Sequence, residues 1–298
     1  MGYVNDYYDS ALVQAAELEE HDPGIYRVEK SYQRYNSLGF NEGMTYGFDQ
    51  LSSYSSTNDH AVLAFLSAMG YGNGAYFTND IYPTLVLDSL LGVKYLSAFD
   101  APEHYADAGL SPTRYPDGAR FWENPYALPL AYGASTDVLS YQVPDEDDAT
   151  SRWERLSTFA SAVWGQSASL YGAESTDADP VLDMSTFTRM IDDLKAHPFA
   201  FDRFGGSHIS GAIDATEGQV LLMTIPNQDG WSITVNGTHV QPQSVANGAL
   251  MAIPVQPGLN QVEMTFTAPG LIPGTALTLA ALLFVLLAPR IRRIRRVM

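Results

Sequence analysis

The chain contains no cysteine and few basic residues, and both shortages narrow what it can be. Without cysteine there are no disulfides, no thiolate-bound zinc and no thiol nucleophile, although that absence does not identify a compartment. Only 16 Lys and Arg stand against 34 Asp and Glu, a formal net charge of −18. Five of those bases (Arg290, Arg292, Arg293, Arg295 and Arg296) crowd the C-terminal tail, so the remaining body stands at −23. Such a body is repelled by nucleic acid and by anionic headgroups, which argues against both as partners of its surface. Basic and neutral ligands remain open.

Catalytic motifs are also scarce. There is no Walker loop, no HExxH and no G-x-S-x-G elbow. Residues 70–75 (GYGNGA) imitate part of a dinucleotide fingerprint, but they follow a helical pattern rather than a strand, so phosphate-cradling geometry is missing. The six histidines are scattered, with no pair at metal-ligand spacing, and the acidic run 145–151 (DEDDATS) reads as a solvated turn. Neither a metal nor a cofactor is evident. The opening MGYVNDYYDSALVQ has no basic and no apolar region of a signal peptide.

The strongest positive signal lies at the other end. Residues 271–288 (LIPGTALTLAALLFVLLA) carry no charge and lead into PRIRRIRRVM. As a helix, about 18 residues rise about 27 Å, close to the hydrocarbon thickness of a bilayer. Pro273 and Gly274 fall in its first turn, where proline costs little. A membrane-spanning helix over 270–289 is therefore expected, with the basic tail 290–298 cytoplasmic and the acidic body outside. An exported body needs an export signal. Two readings follow, a tail-anchored protein with a cytoplasmic body or the C-terminal piece of a longer membrane protein.

The body reads as α+β: a mixed α/β layer over 1–140, then a helix pair and a β-sandwich-like region over 141–269. Helices are expected at 10–20 (capped by Ser10), from Ser56 or Thr57 to Met69, at 84–91, at 150–164 and at 185–197. Gly70, Gly92 and Gly165 stop three of them. In the last, Phe187, Met190, Ile191 and Leu194 share one face. Strands are expected at 25–30 and 93–97, with irregular chain and short strands from 102 to 129. From 208 to 268 short strands alternate with Gly, Asn, Asp and Pro, the spacing of a sandwich. Asn236-Gly237 is a preferred type I′ hairpin turn, although Asn236-Gly237-Thr238 also fits a glycosylation sequon.

Tyr32, Tyr35, Tyr46, Tyr54, Tyr71, Tyr76 and Tyr82 stand in polar loops. Rings beside Asn, Asp and Arg suit saccharides, whose C–H faces stack while their hydroxyls find polar partners. The competing reading is that they fill an irregular core.

Several segments together carry a resemblance. They are Ile25-Tyr-Arg27-Val-Glu29, Asn36, Tyr54-Ser55-Ser56, LDSLLGVKY over 87–95 (with Asp88, Lys94 and Tyr95), and WENPYALP over 122–129 (with Glu123 and Asn124). Ile209-Ser-Gly211, Gly230-Trp231, Val235-Asn-Gly237 and Pro257-Gly258 close the series. In this order they resemble the C-terminal extracytoplasmic region of the YfhO family of bacterial membrane proteins. That family is polytopic and similar to GT-C glycosyltransferases, which take sugars from polyprenyl-phosphate carriers. The resemblance implies sugar transfer to a cell-envelope polymer such as teichoic acid, with this region recognising the acceptor or shaping the site.

The alternative is a non-catalytic, membrane-anchored module that binds a glycan or a protein. The catalytic acid of GT-C enzymes sits among N-terminal spans that this chain lacks, so the resemblance implies a fragment and no catalytic residue carries over. Arg27, Asn36, Ser55, Ser56, Asp88, Lys94, Tyr95, Glu123, Asn124 and Trp231 are carried as structural or binding positions. Arg27 and Lys94 are bases in an acidic body, and Glu29, Asp88 and Glu123 are their expected ion-pair partners.

Overall fold

The computed structural model describes residues 2–32, 41–74, 76–80, 82–112, 118–145, 149–172 and 180–294. The first half opens with α1 (Gly2–His21), β1 (Arg27–Lys30), α2 (Glu42–Tyr46), β2 (Ser53–Tyr54) and α3 (His60–Ala68). Then come β3 (Gly72–Gly74), β4 (Phe77–Asn79), α4 (Leu85–Leu90), β5 (Val93–Ala98), β6 (Ala106–Asp107), β7 (Arg120–Glu123) and β8 (Ala131–Ser135). Two helices follow, α5 (Arg152–Trp164) and α6 (Met184–Lys195). After them run β9 (Ala200–Gly205), β10 (His208–Ala215), β11 (Gln219–Met223), β12 (Trp231–Val235), β13 (Thr238–Val240), β14 (Gln243–Val245), β15 (Leu250–Pro254) and β16 (Gly258–Phe266). The chain ends in α7 (Leu271–Ile294). The α+β class is as expected.

The second half is a sandwich. One sheet has the order β13-β12-β16-β10-β9 and the other β14-β15-β11-β8. Side chains alternate across a strand, so β11 serves two cores. Leu221 and Met223 meet Ile209, Ile233, Met251 and Met264 between the sheets. Val220 and Leu222 face the other way, against Leu156 and Phe159 of α5 and Phe187 and Met190 of α6. The outcome is three layers: five strands, four strands, then helices. The helix-facing core draws on both sides of position 140, from Phe65 and Leu90 to Leu250. Asn236 (φ 52) and Gly237 (φ 76) make the tight turn between β12 and β13. That turn fixes Val235 opposite Thr238.

Local sequence explains the elements. On α6, Phe187, Met190, Ile191 and Leu194 are all buried, as their spacing demands. Each contributes roughly 1.5–3 kcal/mol of burial. Asp183 caps α6 and Ser151 caps α5. Two expectations are corrected. The first helix starts at Gly2 rather than at a Ser10 cap, and α3 is capped by the Asp59 carboxylate rather than by Ser56 or Thr57. Strands β8 and β9 were not expected. β8 hides because Leu130 to Ala134 form one apolar run, buried on both faces, with none of the alternation of a half-exposed strand.

α7 forms, but among the described residues no helix is long and apolar enough to cross a membrane. Its side chains are described only through Leu286, and 271–286 rises about 24 Å, short of a bilayer core.

A smaller sheet, β1-β5-β7-β6, carries the N-terminal part, with β1 parallel to β5 and the other pairs antiparallel. A further ribbon has the order β2-β4-β3. Gly92 turns the chain from α4 into β5 at φ +72, and a Cβ there would stand 2.6 Å from Leu130 Cδ2 and 3.0 Å from the Leu128 carbonyl oxygen. At Gly47 φ is +85 but nothing lies within 4 Å. Gly92→Ala is thus expected to lose about 1–3 kcal/mol and Gly47→Ala about 1 kcal/mol, in urea melts of the full chain in detergent. Equal losses would show that the contact with Leu128 and Leu130 has no cost.

Candidate functional site

The parallel pairing of β1 with β5 decides which side chains go inward. Val28 pairs with Tyr95 and Glu29 with Leu96. Arg27 and Glu29 are both buried, on the strand positions that flank Val28. The Arg27 backbone N–H donates to the Gly92 carbonyl at 2.8 Å. Its guanidinium donates to the Leu91 carbonyl, to Thr224 Oγ1 at 2.8 Å and to the Thr224 carbonyl. Thr224 Oγ1 in turn donates to the Leu130 carbonyl at 3.0 Å. One side chain therefore ties β1 to the end of α4 and to the residue that follows β11. Its partners are carbonyls and a hydroxyl, not the expected Glu29, Asp88 or Glu123 carboxylates. A guanidinium offers five donors and can satisfy several carbonyls at once, which a carboxylate pair would not. Burial lowers its pKa, and Asp49 is the leading charge acting in the opposite direction.

Beside this clasp runs an acidic seam. Glu29 accepts from the Leu51 and Ser52 N–H groups and from the Ser52 hydroxyl, and Asp80 N–H donates to Ser52 Oγ at 3.2 Å. Asp80 and Asp88 have no exposed surface. Tyr105 donates its hydroxyl to Asp88 Oδ2 at 2.6 Å. Among the described residues, Asp88 Oδ1, both carboxylate oxygens of Asp80, Tyr71 OH and Thr84 Oγ1 have no hydrogen-bond partner. Thr84 sits at the N-cap of α4 without making the side-chain cap bond. Burial pushes the Asp88 carboxyl up to about 7, against the Tyr105 hydrogen bond, and Glu29 adds to the rise. Asp80 is raised well above the ordinary range by burial and then by the charges of Asp88 and Glu29. Glu29 is raised by burial despite its Ser52 bonds.

Between the end of α1, the turn before β1 and the segment after α2 lies a cleft of about 230 Å³, lined by Glu19, Asp22, Tyr26, Tyr46, Phe48 and Asp49 among others. Lys94 meets Asp22 in an ion pair and lies 3.8 Å from Glu123. Its ammonium also stands 5.6 Å and 5.5 Å from the ring centres of Tyr26 and Tyr95. Tyr95 OH donates to Asp22 Oδ2 at 3.1 Å. Burial acts to raise Asp22, but the bonds from Lys94 and the Gly24 N–H outweigh it and hold the carboxylate below its usual range. Glu123 is thus a partner of Lys94 as expected, while Asp22, the closer one, was missed because it lies 72 residues away in sequence.

The remaining positions separate. Asn124 is a structural anchor: its Nδ2 donates to Ser89 Oγ and to the Val93 carbonyl, each at 3.1 Å, and its Oδ1 accepts from Tyr126 N–H. Ser55 Oγ accepts from Thr57 N–H in an exposed turn, and Ser56 is exposed there too. Trp231 packs on Phe266 in the outer sheet, with ring centres 5.1 Å apart. Asn36 and Tyr35 lie outside the described residues. The tyrosines do not form one platform. Tyr32 and Tyr71 are buried, Tyr46 lines the cleft, and Tyr54, Tyr76 and Tyr82 are exposed. Residues 72–74 form β3, paired with β4, rather than a phosphate loop. Asp80, Tyr105 and Thr224 were not expected, and nothing in their local sequence marks them.

The described residues contain no group of three or more His, Asp or Glu that could hold a metal ion. The family model described as "Bacterial membrane protein YfhO" matches residues 3–170 and 180–278. No curated protein and no solved structure matches the chain.

The raised carboxyls give a signed pH dependence. Between about pH 4 and pH 7 the folded chain keeps protons on Asp88 and Asp80 that the unfolded chain releases. Stability in the presence of a chelator is therefore full at low pH and falls as pH rises through about 7. Urea midpoints measured from pH 4.5 to 8.5 are expected to show this decline, and Asp88→Asn should make it shallower. A wild-type midpoint that rises over that interval would contradict the burial of these groups.

Proposed function

Because the chain belongs to the YfhO family of bacterial membrane proteins, we propose that it serves as the extracytoplasmic C-terminal part of a membrane glycosyltransferase. In this reading the sugar comes from a polyprenyl-phosphate carrier and goes to a cell-envelope polymer such as teichoic acid. The part described here recognises the acceptor or shapes the site, and no residue of the seam or cleft is assigned the transfer chemistry. The bilayer is held by the C-terminal helix, with the arginine tail on the cytoplasmic side.

The observation that carries the proposal is the state of α7. It follows β16 after only 267–270, and its apolar side chains are bare: Leu277 is 72% exposed, Phe284 70% and Leu286 60%. They lie all round the helix rather than along one stripe, and none of the described residues of the body covers them. A helix apolar on every face wants hydrocarbon as its solvent. The direct step from β16 into α7 then seats the sandwich against the membrane surface.

The cleft supports the acceptor role. Tyr26, Tyr46 and Phe48 offer ring faces beside Glu19, Asp22 and Asp49, the pairing of apolar face and hydroxyl acceptor that a sugar unit requires. Deleting the gene in its native host is expected to remove a sugar substituent from an envelope polymer, read by composition analysis of the purified polymer. Complementation with a Tyr46→Ala, Phe48→Ala double variant should restore the substituent only in part. Unchanged polymer composition after deletion would overturn the transferase reading and favour an anchored binding module.

A further inference from the structure

The buried acidic seam goes beyond the glycosyl-transfer reading and is independent of it. Asp80 has no exposed surface and neither carboxylate oxygen has a hydrogen-bond partner. Asp88 is equally buried, and its Oδ1 is also without one. Two hydroxyls in the same state stand with them. The Tyr71 hydroxyl, on a residue 5% exposed, lies in the field of Asp80, Glu29 and Asp88 together. Thr84, the N-cap of α4, stands one turn before Asp88, whose N–H donates to the Thr84 carbonyl at 3.0 Å. Native cores leave few buried polar atoms unpaired, and each costs about 1–3 kcal/mol. Here three such atoms belong to two carboxylates and two more are the Tyr71 and Thr84 hydroxyls, all unpaired among the described residues.

Two simpler accounts fall short. A proton on each carboxyl removes the charge but leaves the Tyr71 and Thr84 hydroxyls still without a partner among the described residues. Water alone supplies donors but leaves the repulsion between Asp80, Asp88 and Glu29. Two bases near the seam are committed elsewhere: the Arg27 guanidinium to Leu91 and Thr224, and Lys94 to Asp22 and Glu123. A cation carrying its own waters meets both needs, because it offsets the charge while its waters donate to the open oxygens.

We propose that Asp80 and Asp88 hold a hard divalent cation of the calcium class in the core. The Thr84 hydroxyl and bound waters complete the oxygen shell, and Tyr71 donates to that shell. The donor set contains oxygen alone, which favours calcium or magnesium over zinc or copper. With two carboxylates rather than three, much of the coordination falls to water, and the cation braces the β4–α4 junction above the Arg27 clasp.

The test uses the full chain in detergent, with terbium as the probe ion, since tyrosine at Tyr71 and Tyr105 sensitises its luminescence. Wild type is expected to give saturable terbium emission that calcium displaces, and a melting temperature that rises with calcium and falls with EGTA. Asp80→Asn should weaken terbium binding by about tenfold or more, while Asp202→Asn, an exposed control for the general acidity of the surface, should not. Emission unaffected by Asp80→Asn would place the ion on the surface and overturn the proposal. So would an Asp80→Asn chain more stable than wild type and indifferent to calcium, which would show a neutral carboxyl pair. If Asp80→Asn does not fold, the wild-type melt decides alone: no shift between calcium and EGTA rejects the site.

Discussion

The Arg27 guanidinium is the contact on which the arrangement depends. It is a full charge in the core, and its desolvation is offset only because three oxygen acceptors from distant parts of the chain converge on it. Those acceptors belong to the end of α4 and to the residue following β11. The small parallel pair β1–β5 and the large sandwich are thereby held in one register. Removing the guanidinium would strand carbonyls that no water reaches. The clasp also explains why Gly92 and Thr224 matter: one lets the chain turn so that its carbonyl receives Arg27 N–H, and the other supplies two acceptors.

The cleft and the seam show how one residue type takes on two electrostatic settings. On the cleft side, Asp22, Lys94 and Glu123 are partly exposed and paired, and the pairing holds Asp22 ionised. On the inner side, Glu29, Asp80 and Asp88 are fully enclosed and are pushed toward their neutral forms. The difference is solvent and partner, not residue type. A carboxylate in the cleft can accept from a sugar hydroxyl; one in the seam answers first to protons or to a bound cation. The cleft and the seam therefore suit different ligands.

Much of the scaffold was legible in the sequence where local rules act alone. α6 followed from its four apolar positions, the β12–β13 turn from Asn236-Gly237, and the stops at Gly70, Gly92 and Gly165 from positive φ. Legibility failed where tertiary burial overrides periodicity. β8 has apolar residues on both faces and looks like neither an amphipathic strand nor a helix, and the Asp59 cap lost out to two nearer hydroxyl residues. For the site, the resemblance drew attention to Arg27, Asp88, Lys94, Tyr95, Glu123 and Asn124, and these do gather around β1, α4 and β5. Their partners were illegible because Asp22, Thr224 and Tyr105 arrive from 72, 197 and 17 residues away. No spacing rule links such pairs.

The central claim of the proposed function is that an acidic sandwich sits outside the cell on an apolar helix whose basic tail lies inside. The absence of native cysteine allows a direct measurement. A single cysteine at Thr238, exposed on the β13 hairpin, and another at Met298 can each be treated in intact cells with a membrane-impermeant maleimide. Thr238→Cys is expected to label at once and Met298→Cys only after permeabilisation. The reverse pattern, or protection of both until the membrane is opened, would contradict the account.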